Sequence, residues 1–492
     1  MNIEQAVRCH RSFVVAAAVV AFIAGNANAQ TAPPTDERIR RVDAYVETLM
    51  RADRTPGAAV VIVHGDSVIH LRGYGTDGRG NLVSGTTGFI LGSMSKSFTA
   101  LAIMQLVQQG RIELDAPVQQ YLPWFRVRDD AASRAITVRQ LLHHTSGIPA
   151  NAPRAGGDSL TITSHVRALA DIDLAGMPGT AHEYASPNYL VLGAIIEAVS
   201  GQSYANYVQQ SIFARLGMTH SFVREDSALA NRLSAGHGYV FGFPVASTLR
   251  FESDRLPTAA LISSAADLGN FLRAQLNGGQ FGGSSVLSPA LLRAMHTDGA
   301  AADGFTYGFG WRMSTIGGVP AVHHGGIVPN FRGKMVMLPG QGWGVAVLTN
   351  ASSSLPLPLV PTSHRLADAI AAHMIGAPLD STPSRHRLFN FALLALALGV
   401  VALQVRKLRI LHRTSAGASS LRSMPTSAIG RALVLEVAWI AFALFMLPRF
   451  IGLTWREQFA AMPDAAWWLA IVLALSAITA ATFARALLHR RQ

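Results

Sequence analysis

Hydrophobic residues follow helix and strand periods through most of the chain, then crowd into long apolar runs near its end. Asp36–Ala52 has the spacing of an amphipathic helix. Ala58–Val63 and Ser67–Tyr74 are β-rich runs joined by His64-Gly65-Asp66, which predicts a hairpin. Helical periodicity recurs at 95–109, 137–144, 187–199, 204–215, 264–277 and 288–296. Strand-like segments follow at 305–314, 331–338 and 343–349, and a last helix runs from about Leu359 to Met374. Strands at both ends with helices between predict one α+β domain over residues 30–376, its sheet pairing its first and last strands. A Pro/Ser-rich linker at 377–387 leads into residues 388–492.

That last segment carries three apolar stretches, at about 388–405, 432–448 and 465–484, each near the ~17–25 residues that cross a bilayer. The second is short and contains Glu436, an intramembrane charge or the mark of a tilted helix. Arg406, Lys407, Arg409, Arg413, Arg422 and Arg431 separate the first two stretches, and Arg485, Arg490 and Arg491 follow the third. By the positive-inside rule these segments are cytoplasmic, which puts residues 30–384 outside. Trp467 and Trp468 suit an interfacial aromatic belt. Residues 1–29 read as a secretory signal: Arg8 and Arg11, an apolar run Phe13–Ala24, then Ala27-Asn28-Ala29. The expected location is the bacterial inner membrane, with the catalytic domain periplasmic and the C-terminus cytoplasmic.

The net charge of +12 changes meaning once it is mapped. From Arg385 on, 13 basic residues face 3 acidic ones, so residues 30–384 are nearly neutral and offer no basic stripe to nucleic acid. The single cysteine, Cys9, lies before the apolar run, and a processed chain has no thiol for disulfides, catalysis or metal. Gly73-Tyr74-Gly75-Thr76-Asp77-Gly78 matches a dinucleotide fingerprint, but no helix follows it, so a glycine-rich turn is expected.

Only three basic residues are lysine, Lys96, Lys334 and Lys407, and Lys96 stands three places after Ser93. A desolvated lysine can lose its proton where arginine cannot. Ser93 opens a predicted helix with Lys96 one turn on, so the pair reads as nucleophile and activating base. Such an enzyme needs a second proton shuttle and an oxyanion hole. Tyr184 and Ser186 sit on the loop into a helix whose first turn holds Pro187, and a nearby lysine is expected to lower the tyrosine's pKa. His323-His324-Gly325-Gly326-Ile327 offers a strand edge that a ligand can approach closely. His323 reads as a strand residue, and His143 and His144 as braces for the Thr145-Ser146-Gly147 turn. No ligand recurs at metal spacing, so neither metal nor cofactor is expected.

Gly92-Ser93-Met94-Ser95-Lys96, Leu141–Pro149, Tyr184-Ala185-Ser186 and His324-Gly325-Gly326, in that order, resemble the serine β-lactamase/penicillin-binding-protein family, closest to its class C-related hydrolases. Leu114–Trp124, Ser263–Asp267 and Tyr307–Trp311 echo the same family, and the resemblance spans roughly Arg38 to Asn350. It implies a β-lactamase/transpeptidase-like fold, an antiparallel sheet flanked by helices plus a helical subdomain. It also implies Ser93 as the acylated residue, Lys96 as its base, Tyr184 as proton relay, His324 in the third motif, and an oxyanion hole at Ser93 and Ile327 beside Gly326. Two departures are plain: Ser186 stands where the family has asparagine, and His324 where most drug-hydrolysing members have lysine. The signal peptide and three spans further resemble membrane-anchored prodrug-activating peptidases such as the colibactin-maturing peptidase. That likeness implies leader-binding roles for Ser186, Asn330 and, in alignment, Arg255, and a small-molecule or peptide substrate. An esterase or weak β-lactamase, and a non-catalytic penicillin-binding sensor, stand as alternatives.

Overall fold

The computed structural model describes residues 37–153, 155, 160–246, 251–352, 361–379, 386–416, 425–451, 455, 458–459 and 463–488. The signal segment 1–29, most of the linker and several of the basic residues that set the topology (Arg422, Arg490, Arg491) lie outside them. Met1–Asp43 and Ala44–Gln492 are two compact units, the first described only over the start of helix α1, Glu37–Asp53.

An eight-stranded sheet organises the second unit. In chain order its strands are β1 Gly57–His64, β2 Ser67–Gly75, β3 Ala300–Ala302, β4 Phe305–Tyr307, β5 Arg312–Ile316, β6 Val319–Val328, β7 Phe331–Leu338 and β8 Trp343–Thr349. Across the sheet they run β2-β1-β8-β7-β6-β5-β4-β3, with every neighbouring pair antiparallel. The first strands therefore close against the last, as the strand positions imply, with Ala58 opposite Thr349. β1, β7 and β8 are almost wholly buried, as strands covered on two sides must be, and mostly apolar, with Arg332 and Lys334 of β7 the charged exceptions.

Between β2 and β3 lie the helices that build the site: α2 Ser95–Gln108, α3 Ser186–Ser200 and α4 Ala265–Leu276, with α5 Thr362–Met374 after the sheet. α4 packs on β1 and β8, and α5 on β7 and β8. Phe98 stacks on Phe271 at 4.1 Å between ring centres, tying α2 to α4 in the main core. The 73–78 glycine turn leads into no helix.

Two sequence expectations change. The segment 305–314 is not one strand: it breaks at Gly308–Trp311, where the Ser97 hydroxyl of α2 donates to the Gly310 carbonyl at 2.6 Å. The helix expected over 204–215 is an α-turn at Tyr204–Val208, then a π-turn at Gln209–Phe213 and a 3-10 turn at Ala214–Leu216.

Three helices follow that are long and apolar enough to cross a membrane: Phe391–Leu411 within α6 His386–Ala416, Thr426–Arg449 beginning with α7 Thr426–Ala441, and α8 Pro463–Leu488. The first two outrun the hydropathy reading, which stopped at charges. Lys407 and Glu436 form an ion pair between α6 and α7, so α6 continues through a lysine that looks like the end of an apolar run.

Candidate active site

Gly92–Met94 forms a 3-10 turn that runs directly into α2. Gly92 holds φ +58°, which a side chain would oppose, and a Cβ there would sit 2.5 Å from the Ile327 nitrogen. The turn presents Ser93 partly exposed, with Lys96 buried behind it. Lys96 Nζ lies 3.4 Å from Ser93 Oγ, 3.3 Å from Ser186 Oγ and 3.0 Å from the Thr258 carbonyl oxygen. Thr258 belongs to a π-turn, Leu256–Ala260, that packs against α2.

No carboxylate pairs with Lys96 among the described residues. Burial, and then the positive charges of Arg255 and Arg312, hold its pKa well below the ordinary lysine range. A neutral amine has two N–H groups and one lone pair. The N–H groups match Thr258 and Ser186, which leaves the lone pair for the Ser93 proton.

Tyr184 sits on the extended loop before α3, whose first turn contains Pro187. His144, at φ +58°, braces this loop. Its Nδ1 accepts the Ala185 N–H at 3.2 Å and an Asn188 side-chain N–H at 3.1 Å, and its carbonyl accepts the Glu183 N–H at 2.8 Å. The bracing role expected for the following turn thus falls on Tyr184's own loop. His143 instead turns outward to the Asp298 carbonyl and stacks on Phe309.

The Tyr184 pKa is not lowered. Burial pushes it up to about 12, with Ser93 and Arg312 opposing only in part. The buried hydroxyl makes no hydrogen bond among the described residues, and the ring centre lies 5.0 Å from Lys96 Nζ. At neutral pH the hydroxyl keeps its proton.

β6 supplies the opposite wall. β5 pairs with it only as far as His323, whose Nε2 meets Ser314 Oγ at 2.9 Å. From His324 onward that edge of β6 is open, and it lies against the Gly92–Met94 turn. A Cβ on Gly326 would run into the Leu91 carbonyl, so only glycine permits this approach. Ile327 follows, its side chain half exposed. His324 is buried with both ring nitrogens engaged, by Tyr307 Oη at 3.0 Å and the Gly325 carbonyl at 2.7 Å. Burial, then the Arg312 charge, keep it far below the usual histidine range, hence neutral.

Ser186 and Arg255 line a cavity of about 110 Å³ with His165, Leu190 and Thr258, adjoining Lys96. That is space for about four water-sized groups. Arg255 is held by Glu252 at 2.5 Å, and His165 Nε2 meets Asp254 at 2.6 Å on the cavity wall. Asn330 does not line the cavity. It lies in the β6–β7 turn with its side chain against Gly236.

One residue escaped the sequence reading. Arg312, at the start of β5, lies with its guanidinium 5.4 Å from the Tyr184 ring centre and 4.7 Å from that of Phe305. Its Nε is buried without a hydrogen-bond partner among the described residues. It directly follows the Tyr307–Trp311 echo, where a cation at a strand start was the available clue.

With this geometry in place, the comparisons are specific. The Beta-lactamase family profile matches residues 42–368. Protein flp of Staphylococcus aureus (strain MRSA252) is 30% identical over 330 residues, 65% of this chain and 64% of its own, so the chain spans a little under two thirds of that relative. Penicillin-binding protein 4 of Amycolatopsis lactamdurans is 33% identical over 322 residues, covering 62% of this chain and 83% of its own. Among solved structures, the octameric penicillin-binding protein homologue from Pyrococcus abyssi superposes with a TM-score of 0.58 at 26% identity, covering 71% of this chain and 80% of its own. A class C beta-lactamase gives 0.60 at 19%, covering 71% and 99%.

Proposed function

Because the chain belongs to the Beta-lactamase family of serine hydrolases, we propose that it cleaves an amide or ester through an acyl-enzyme on Ser93. The observation that carries this reading is a buried lysine 3.4 Å from a serine hydroxyl, with its pKa held well below the ordinary lysine range. Lys96 takes the Ser93 proton as Oγ bonds to the substrate carbonyl carbon. The oxygen that gains the negative charge is held by the N–H groups of Ser93 and Ile327, each worth roughly 10²–10³ in rate. Tyr184, still protonated, gives its proton to the leaving nitrogen or oxygen as the acyl bond breaks, and Lys96 restores it. Water then attacks the acyl-Ser93 ester with proton transfer through the same pair and releases the acid.

Two cations near the nucleophile support a substrate that carries a carboxylate, with Arg312 as the unpaired one. The cavity at Ser186 and Arg255 suits a short polar side chain, consistent with a D-residue peptide or an acylated prodrug. The basic asymmetry around the three apolar helices and the signal segment support an anchored, extracytoplasmic catalytic domain.

A fluorophosphonate or fluorescent penicillin probe tests the nucleophile. Labelling of the wild type and at least 100-fold less of Ser93→Ala is expected, and equal labelling overturns the assignment. The substrate class is read from Arg312→Gln. KM for a carboxylate-bearing peptide is expected to rise about 10–100-fold, the worth of one charged hydrogen-bonded contact, while a neutral p-nitrophenyl ester loses much less, because only the effect of the Arg312 charge on Lys96 and Tyr184 bears on it. Equal loss on both substrates favours a plain esterase.

A further inference from the structure

We propose that the tip of the hairpin formed by His237–Val240 and Phe243–Ala246 seats in the headgroup layer of the bilayer beside α8, and so fixes how the catalytic face stands over the membrane. The proposal rests on α8 crossing a bilayer and not on the serine chemistry.

Three observations converge on the tip. The first is its sequence. Val240 pairs with Phe243, so Phe241-Gly242 is a two-residue loop, with φ +48° and +81°. Such loops favour Asn-Gly or Asp-Gly, because the first position is left-handed. A phenylalanine there strains the backbone for no gain to the hairpin itself.

The second observation is exposure. Phe243 and Val245 are each 50% exposed on the strand leaving the loop, an apolar face. Arg54 lies over the Phe243 ring at 4.1 Å and donates to the Gly242 carbonyl at 3.3 Å. Apolar rings beside a guanidinium suit a layer of acyl roots and phosphates.

The third is position. The Phe241 N–H donates to Asp464 Oδ2 at 3.4 Å, and Asp464 is the second residue of α8. Trp467, 62% exposed, stands about 4.5 Å further along the helix at 1.5 Å per residue. It packs on Phe459 at 5.1 Å between ring centres, and Phe459 on Trp455 at 6.2 Å. Aromatic groups of this kind mark the membrane–water boundary. The hairpin tip therefore touches α8 at the level where headgroups begin, and Phe243, about 7 Å along the strand, lies within reach of the same layer.

The other end of the hairpin reaches the site. His237 N–H is shared between the Asn330 and Asn350 carbonyls at 3.2 and 2.9 Å, and Asn330 lies three residues after Ile327 on the β6–β7 turn. Docking the tip thus holds the oxyanion wall at a set height and tilt. A substrate already in the membrane plane would then meet Ser93 in one orientation.

The test uses the full chain in liposomes of phosphatidylcholine and phosphatidylglycerol. In a Cys9→Ser background, Val245→Cys and Ile69→Cys are labelled with the environment-sensitive fluorophore NBD. Ile69 is 42% exposed on β2 and serves as the aqueous reference. Lipids carrying a doxyl group near the headgroup are expected to quench the label at 245 at least threefold more than at 69, and iodide to quench it at least threefold less. Equal quenching at both sites overturns the proposal. So does a label at 245 shielded from iodide yet untouched by doxyl lipid, which would mean a protein covers the patch. Should Val245→Cys fail to fold, Phe243→Cys, two residues back on the same face of the strand, gives the same readings.

Discussion

Lys96→Arg is expected to lower kcat/KM by roughly 10³–10⁴-fold on any substrate the wild type turns over, the range for loss of a general base. Arginine keeps positive charge and comparable length but does not surrender its proton, so the variant isolates the one property the mechanism needs. Stopped-flow acylation with a chromogenic substrate measures it, and a loss under tenfold would remove Lys96 as the base. A companion variant separates charge from chemistry. The folded pKa of Lys96 lies below that of the unfolded chain, so unfolding takes up a proton at pH values between the two. The destabilisation is absent above about pH 11, grows as pH falls through the unfolded lysine value of about 10.4, and levels off below the folded one. The Tm of Lys96→Met relative to wild type is therefore expected to rise as pH is lowered from 11 towards neutrality. The opposite trend would mean that the lysine is charged and paired in the fold.

The legible part of this site was the part written in local spacing. Ser93 and Lys96 are one helical turn apart, and three positions on one helix bring two side chains together whatever the rest of the chain does. Pro187 likewise marks the start of α3 and thereby the loop that holds Tyr184. The Thr258 carbonyl was invisible, because Leu256-Pro257-Thr258 has no helical period and its π-turn exists only through packing on α2. The tyrosine's pKa was misjudged for a related reason. A lysine nearby lowers it only when charged, and the burial that neutralises Lys96 also raises Tyr184. The extent of β6 was also hidden. Pro320, Gly325 and Gly326 look like strand breakers, yet β7 pairs with the strand through Val328. The full length of α6 was hidden as well, because Lys407, which looks like the end of an apolar run, pairs with Glu436 of α7, a contact that no single-segment hydropathy can register.

Gly326→Ala is expected to be the most damaging single-carbon change in the catalytic domain. The added methyl would overlap the Leu91 carbonyl, which is backbone and cannot swing aside, and would press on Met94 at 3.3 Å. Relief comes only if β6 and the Gly92–Met94 turn separate, yet β7 pins β6 from the other side through Gly333 opposite Gly326. The turn must therefore give, and with it Ser93 relative to the Ile327 N–H. A shift near 1 Å in such a pair is worth about 10²-fold in rate, and loss of one oxyanion donor brings it to 10²–10³. Overpacking adds a stability loss of about 1–3 kcal/mol, and thermal unfolding should register a lower Tm. Gly325→Ala makes the useful contrast. Its methyl meets the imidazole of His364, a side chain on α5 that is able to rotate, so a similar Tm loss is expected with a much smaller loss of rate. Equal rates for the two variants would mean that the closeness of β6 to the serine turn serves packing alone.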